Sequence, residues 1–296
     1  MLKIMGMKGS TVHRDVPSRL PAWLRKRVIC GGSTARVTRA LEEFRLKTVC
    51  REASCPNIIE CFARGSATFI ILGDNCTRNC GFCGVNKGPP KDVEQDEPER
   101  LARAAKLLGL HHVVITSVTR DDLPDGGSGH FSRVIHALKK CDRQRVEVLV
   151  PDFQGVRADI HRVLDAGPHV FAHNVETVPR LYSRVRPEAR YERSLRVLDF
   201  AGEYCQNGRQ KIRVKSGLML GLGERKAEVL EVLKDLLHTG CETITIGQYL
   251  RPSRDRLPVE RYLAPTEFQE YEETARALGF LQVFSGPFVR SSYCIV

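Results

Sequence analysis

An α/β chain built on a parallel sheet is the fold the sequence predicts, and three observations predict it. From Ala67 onward, strand-like and helix-like stretches alternate, and six strand–helix units follow one another in series. The strand stretches are short β-branched runs bounded by Gly, Pro or Asp, whereas the helical ones carry apolar residues with a period near 3.6. Polar residues recur at the C-terminal ends of most of the strands, the end at which α/β barrels gather reactive groups. This order of elements leaves two architectures open, an open doubly wound sheet and a curved partial barrel.

The first strand is Thr68-Phe69-Ile70-Ile71-Leu72, followed by a long loop from Cys76 to Pro90 and a helix over about 98–108. The second is His112 to Thr116, then a Gly-rich loop (Asp121 to Gly129) and a helix over about 130–140. Val146 to Val150 is the third, with a helix over about 156–165. The fourth runs from His169 to His173, the fifth lies within Lys211 to Leu220, and the sixth is Thr243 to Ile246. Their helices fall near 190–204, 226–238 and 266–278. Residues 35–48 read as one more helix, with Val37, Leu41, Phe44 and Leu46 on one side. Thr116, Ser117, Asp152, His173, Asn174, Glu176, Lys215, Ser216 and Gln248 supply the polar groups near strand ends. A dinucleotide fold would place G-x-G-x-x-G after its first strand. The nearest match, Gly221-Leu222-Gly223-Glu224, follows the fifth strand and lacks the third glycine, so that reading is set aside.

At 296 residues, with 42% hydrophobic and 27% charged residues, the chain has the composition of a globular protein able to bury a full core. No apolar run reaches the ~18–20 residues of a membrane span. No signal peptide is visible, which points to a reduced, cytoplasmic compartment. Residues 1–29 hold seven Lys or Arg and one acidic residue, Asp15. They read as a flexible basic arm; a transit peptide for a mitochondrial or plastid matrix is the alternative. The formal net charge of +11 raises the question of nucleic acid. The basic residues are dispersed, however, and no nucleic-acid-binding motif is present.

Eleven cysteines, an odd number, exclude a fully paired intramolecular disulfide framework. Cys30, Cys141, Cys205, Cys241 and Cys294 are scattered and read as small buried hydrophobes. The other six form two triads, Cys50-x4-Cys55-x5-Cys61 and Cys76-x3-Cys80-x2-Cys83. Neither has the paired knuckles of a zinc site. A joint six-thiolate zinc cluster is one alternative; two cuboidal iron–sulfur clusters suit the spacing better. Each triad would then supply three ligands for four irons, leaving one iron open to another group.

The second triad, Cys76-Thr77-Arg78-Asn79-Cys80-Gly81-Phe82-Cys83, resembles the signature of the radical S-adenosylmethionine (SAM) superfamily. The resemblance implies a 4Fe–4S cluster whose open iron is chelated by SAM, with Phe82 near the adenine. It also implies a partial (β/α)6 TIM-like barrel with the cluster loop after the first strand. Gly217, Gly221, Gly223 and Glu224 resemble the superfamily's G-x-I-x-G-x-x-E pattern, with Met219 at the Ile position.

Longer blocks are similar to the lipoyl synthase family. They are Thr48 to Asn57 with Cys61, Val114 to Gly127, His173 to Pro179, Lys215 to Glu224, Thr245 to Leu250, and Arg290-Ser291-Ser292-Tyr293. The similarity runs from about Pro21 to Tyr293. It implies an N-terminal extension (30–66) and a C-terminal segment (281–296) flanking a barrel over 67–280. The two flanks together would hold an auxiliary 4Fe–4S cluster through Cys50, Cys55, Cys61 and Ser292. SAM would lie among Phe82, Asn174, Glu176 and Lys215, with Arg290 near the auxiliary cluster.

The implied reaction inserts two sulfurs at carbons 6 and 8 of an octanoyl chain amide-linked to a carrier lysine. A 5′-deoxyadenosyl radical removes hydrogen from the unactivated carbons, and the auxiliary cluster is consumed as the sulfur donor, giving a dihydrolipoyl product. The implied partners are octanoylated lipoyl carrier domains (2-oxoacid dehydrogenase acyltransferase subunits and the glycine cleavage H protein), a low-potential electron donor, and an iron–sulfur carrier that rebuilds the auxiliary cluster. Neither nucleic acid nor membrane is expected as a partner. The positive charge is then read as help in docking an acidic carrier. Two other readings are another sulfur-inserting radical SAM enzyme and, in a different class, a metal-stabilised nucleic-acid-binding module. The chain ends three residues after Tyr293, where lipoyl synthases commonly continue, and Cys294 lies beside the serine motif.

Overall fold

A computed structural model describes residues 20–25, 32–52, 55, 57–140, 144–208 and 210–292. Most of the basic arm, together with Cys30, Cys141, Tyr293 and Cys294, lies outside the described residues. Within the arm, Leu24 is buried and the Trp23 indole Nε1 donates to the Leu263 carbonyl at 3.1 Å, so this part rests on the body of the fold.

In chain order, α1 (Gly32–Glu43) leads to β1 (Lys47–Thr48), α2 (Val49–Glu52) and α3 (Ile58–Ala63). Then come β2 (Ser66–Ile71), a two-stranded pair of β3 (Asn75–Cys76) with β4 (Asn86–Lys87), α4 (Glu97–Leu107) and β5 (His112–Ser117). The alternation continues through α5 (Ser128–Lys139), β6 (Arg145–Leu149), α6 (Arg157–Asp165), β7 (Val170–Ala172), the single turn α7 (Tyr182–Val185) and α8 (Tyr191–Gln206). It closes with β8 (Arg213–Leu220), α9 (Lys226–His238), β9 (Thr243–Gln248), α10 (Pro265–Leu278) and β10 (Gln282–Gly286).

The main sheet has the order β1-β2-β5-β6-β7-β8-β9-β10, antiparallel at the first pair and parallel at the rest. This order decides between the two architectures. A doubly wound sheet reverses direction at a switch point. Here each parallel strand is added beside the previous one without reversal, so the crossover helices share one side and the sheet curls toward a barrel. The two ends of the sheet do not pair with each other.

Helix faces obey the same logic. Phe131, Val134, Ile135 and Leu138 of α5 are buried at helical spacing, and so are Val229, Val232, Leu233 and Leu236 of α9. Strands of a parallel sheet are covered on both faces, and all six residues of β9 are buried. Among the described residues, no helix is long and apolar enough to cross a membrane.

Two local differences from the sequence reading have physical causes. The helix expected over 35–48 stops at Glu43, because Arg45 takes a left-handed φ of 51° and Lys47–Thr48 pairs antiparallel with Phe69 and Ile70. A seventh parallel strand, β10, follows the six expected. It lies at the sheet edge with one buried residue in five, and so shows no alternating pattern.

The loop after β2 is fastened to the strands beside it. Arg78 is 5% exposed and grips two carboxylates at once. Its Nε and Nη2 donate to Asp121 at 2.6 and 2.8 Å, and its Nη1 and Nη2 donate to Asp152 at 3.0 and 2.7 Å. Asp121 follows β5 and Asp152 follows β6, so one side chain ties the loop to two strand ends. Burial would raise the Asp152 pKa, but Arg78, by hydrogen bond and by charge, holds it below the usual carboxylate range. Thr77 adds hydrogen bonds from its amide and hydroxyl to the Thr119 carbonyl, at 3.1 and 3.0 Å. Breaking a buried ion pair by removing one partner costs about 3–5 kcal/mol. Arg78→Ala is therefore expected to lower the urea midpoint strongly. Arg193→Ala should do so less, since its Nη1 makes only a 3.2 Å contact with Asp152.

His173, at the end of β7, is wholly buried. Its Nδ1 donates to the Val150 carbonyl at 2.9 Å, and its Nε2 lies 3.0 Å from the Ser194 hydroxyl. The neutral ring fits both contacts, and burial lowers its pKa from 6.5 to about 4. The unfolded chain therefore binds a proton at higher pH than the folded one. Stability is full above the unfolded value and falls as pH drops through the interval between the two, by on the order of 3 kcal/mol. Urea midpoints measured down this range should show the loss, and His173→Gln should flatten it.

Candidate active site

Cys76, Cys80 and Cys83 hang from the loop that Arg78 holds. Two backbone amides, of Thr119 and Arg78, point at the Cys76 sulfur from 3.3 and 3.5 Å. Amides directed at sulfur are the contacts that tune cluster thiolates. Burial pushes the Cys80 thiol up to about 11; Arg186 opposes the shift, whereas Cys83, Cys76 and Glu176 add to it. Cys83 is raised by burial as well. Gly81, between them, has no room for a side chain. A Cβ there would lie 2.8 Å from Leu257 Cδ1 and 3.2 Å from the Arg184 carbonyl. Its amide donates to the Val185 carbonyl at 2.9 Å, and its carbonyl accepts from the Leu257 amide at 3.0 Å. Phe82 is half-buried and packs on the core.

Facing this loop are the residues after β7. Asn174 Nδ2 donates to Glu176 Oε1 at 3.0 Å, while Asn174 Oδ1 is buried without a partner. Glu176 adopts a left-handed φ of 65°, held by backbone bonds with Gly217 and Met219 at 3.0 and 2.9 Å. Burial raises its pKa, opposed by Arg186. Gly217 is bare because a Cβ would meet Thr245 Oγ1 at 2.5 Å and Asn174 Oδ1 at 3.0 Å. Asn174 thus lies directly against the backbone of β8.

Lys215 is not brought to this group. Its ammonium donates to Glu147 at 2.7 Å, nearer the start of β8, and His112 Nε2 lies 3.2 Å from the other oxygen of the same carboxylate. Glu224 accepts from the amides of Gly221 and Leu222 at 2.6 and 2.9 Å, closing the turn after β8. The principal residue that sequence reasoning missed is Arg186. Its Nη1 donates to the Asn174 carbonyl at 2.8 Å, and its buried Nε has no partner. It is thereby a cation beside both Cys80 and Glu176. Its neighbours Arg180 and Arg184 pair with Glu228 and Glu260 at 2.7 and 2.6 Å near the surface. Nothing in the local sequence marks the third arginine as different.

Cys50 of the first triad lies on α2, Cys61 on α3, and Cys55 between the two helices. The Cys55 amide donates to the Cys50 carbonyl at 3.0 Å, and the Cys61 amide to the Asn57 carbonyl at 2.9 Å. Burial pushes the Cys50 thiol up to about 12, and Cys55 and Cys61 add to the shift. The far end of the chain returns here. Asn57 Nδ2 donates to the Phe288 carbonyl at 2.7 Å, and the half-buried guanidinium of Arg290 lies beside Cys55. Ser291 and Ser292 follow in a half-buried turn.

Among the described residues, no three ligating side chains converge on the position of a single metal ion, and the eight described cysteines are free. The donor set fits a larger group. Three clustered thiols are the donors that a cuboidal cluster takes from a protein, and they would exchange protons for iron on binding. The cation Arg186 and the amides aimed at Cys76 suit the negative charge of a thiolate-ligated cluster.

The chain matches the Radical SAM superfamily over residues 70–236. Curated relatives called lipoyl synthase are 53% identical in Caldicellulosiruptor saccharolyticus over 277 residues (93% of this chain, 96% of that one) and 54% identical in Caldanaerobacter subterraneus subsp. tengcongensis over 275 residues (93% and 95%). The Pelobacter propionicus lipoyl synthase is 51% identical over 291 residues, 98% of this chain and 91% of that one. Among solved structures, methylornithine synthase (PylB) superposes with a TM-score of 0.52 at 14% identity, covering 85% of this chain and 81% of that one. Streptococcus suis SuiB, bound to its precursor peptide SuiA, gives 0.56 at 11% identity, over 85% of this chain and about half of SuiB (52%). Those structures share the fold, and the extended sequence identity identifies more: the chain belongs to the lipoyl synthase family of sulfur-inserting radical SAM enzymes.

Proposed function

We propose that this enzyme inserts two sulfur atoms at carbons 6 and 8 of an octanoyl chain amide-linked to a lysine of a lipoyl carrier domain. Two 4Fe–4S clusters would serve it, one on Cys76, Cys80 and Cys83 with SAM, the other on Cys50, Cys55, Cys61 and Ser292. The observation that carries this reading is the pairing of a second thiol triad (Cys50 buried, Cys55 and Cys61 half-buried) with the returning segment Phe288 to Ser292. A radical SAM enzyme without an auxiliary cluster has no use for that arrangement.

With SAM bound, the cluster on the second triad supplies the one-electron chemistry that removes hydrogen from an unactivated carbon. The chain's own residues do the rest. Arg78 fixes the height of the cysteine loop against β5 and β6. Arg186, with its free Nε, is suited to hold the carboxylate of the SAM methionine. Asn174 Oδ1 and Glu176 offer acceptors to the adenosyl hydroxyls, and Phe82 gives the adenine an apolar surface. Leu257, seated on Gly81, excludes water from one side of the loop. At the other triad, Ser292 would offer an oxygen ligand, harder than thiolate and more easily parted from iron, which would suit a cluster that supplies sulfur. Arg290 offsets negative charge beside Cys55. Lys215, held by Glu147, is proposed as support beneath the SAM pocket rather than a contact to SAM.

We place the reaction in the cytoplasm, with a low-potential electron donor and an iron–sulfur carrier as further partners. The carriers are the acyltransferase subunits of 2-oxoacid dehydrogenases and the glycine cleavage H protein. Residues 30–66 and 281–296 are read as the flanks of a barrel over 67–280.

Mass spectrometry of an octanoylated carrier peptide, incubated anaerobically with enzyme, SAM and reductant, tests the proposal. The peptide should gain two sulfurs for every two SAM cleaved, with no net change in hydrogen while the dithiol stays reduced and a loss of two hydrogens once it is oxidised to the disulfide. Cys80→Ala should abolish SAM cleavage, whereas Cys55→Ala should leave cleavage intact and stop sulfur gain; equal losses from both would contradict the division of labour. Ser292→Ala should depress sulfur insertion at least tenfold more than Ser291→Ala, and the reverse order would move the ligand by one residue.

A further inference from the structure

The loop between β9 and α10 is anchored at both shoulders and bare at its tip. Gln248, 1% exposed, donates from Nε2 to the carbonyls of Leu220, Tyr249 and Arg261 at 3.0–3.1 Å and accepts from the Leu263 amide at 2.9 Å. The Glu260 amide donates to the Gly221 carbonyl at 2.8 Å, and the Tyr249 hydroxyl to the Leu257 carbonyl at 2.8 Å. Leu257 then bonds Gly81 of the cysteine loop. Between these anchors, Arg251, Pro252, Ser253, Arg254 and Asp255 are all exposed.

The charge on this tip is unbalanced. Arg251 and Arg254 meet no carboxylate among the described residues; the Arg251 guanidinium bonds the Arg254 carbonyl instead. Asp255, paired with Arg256 at 3.4 Å, is the one carboxylate among Arg251, Arg254, Arg256 and nearby Lys87. By contrast, Lys91 pairs with Asp74 at 2.9 Å and Arg184 with Glu260 at 2.6 Å. A tip held rigid by its shoulders presents these arginines without a large ordering cost, a condition for a specific contact. They contribute nothing visible to the packing of the fold.

We infer that the Arg251–Arg256 tip is the surface on which an acidic carrier domain docks, next to the cysteine loop that must reach its octanoyl chain. The inference rests on the proposed function and adds where the partner sits. Unpaired rim charges govern encounter and salt dependence more than the chemistry that follows.

The double variant Arg251→Glu/Arg254→Glu, loaded with its clusters, tests it against two substrates: an octanoylated lipoyl domain of acidic net charge, and a short neutral peptide carrying octanoyl-lysine. The KM for the intact domain should rise about tenfold or more with kcat unchanged, and its dependence on salt should weaken. Kinetics on the peptide should match those of the unaltered enzyme. An unchanged KM for the domain overturns the inference, and so does an equal loss on both substrates. Fluorescence anisotropy of the labelled domain separates docking from reaction. An unaltered enzyme that binds the domain without converting it, while the variant binds more weakly, supports docking and overturns the proposed reaction. A variant that keeps its affinity for the domain but loses affinity for a DNA duplex overturns docking in favour of nucleic acid.

Discussion

One guanidinium clamped between two carboxylates underlies the geometry of the whole mouth of the barrel. Arg78 stands inside the cysteine motif itself, between Cys76 and Cys80, yet its partners lie on the loops of the next two strands. Guanidinium is suited to this because its planar fork satisfies two carboxylates at fixed angles. A lysine would offer charge without direction. Once the loop is so held, Gly81 can be approached from both sides, Cys80 lies beside Glu176 and Arg186, and Cys83 lies beside Glu176. The orientation of the site is thus set by strand ends rather than by the loop's own conformational preferences.

Much of this was legible in the chain. Six short apolar runs separated by amphipathic helices read directly as parallel strands, because strands covered on both faces carry their signal in composition. The cysteines were legible for a different reason: clustered thiols in a reduced chain have few structural uses. What escaped notice were long-range partnerships. Lys215 stands at a strand position that looked functional, but its charge is answered by Glu147, 68 residues away, where no local pattern could announce it. Arg186 was hidden among arginines that serve the surface. β10 was missed because an edge strand buries too little to show alternation.

Within the barrel, the Lys215–Glu147–His112 cluster places opposite charges in a dry interior. Such a pair contributes little net stability against an apolar replacement, since desolvation offsets attraction. Its value lies in direction: partners on β5, β6 and β8 must be in register for the charges to meet. The cluster thereby discriminates against slipped sheets in a region whose apolar residues would tolerate several packings.

The hydrogen bond from Asn57 to Phe288 joins residues 231 positions apart. In time, this separates the two halves of one site. A growing chain exposes Cys50, Cys55 and Cys61 early, whereas the Phe288 carbonyl that receives Asn57 is made 231 residues after it. The turn of chain at Asn57, beside the first triad, consequently stays without this partner until β10 has been made.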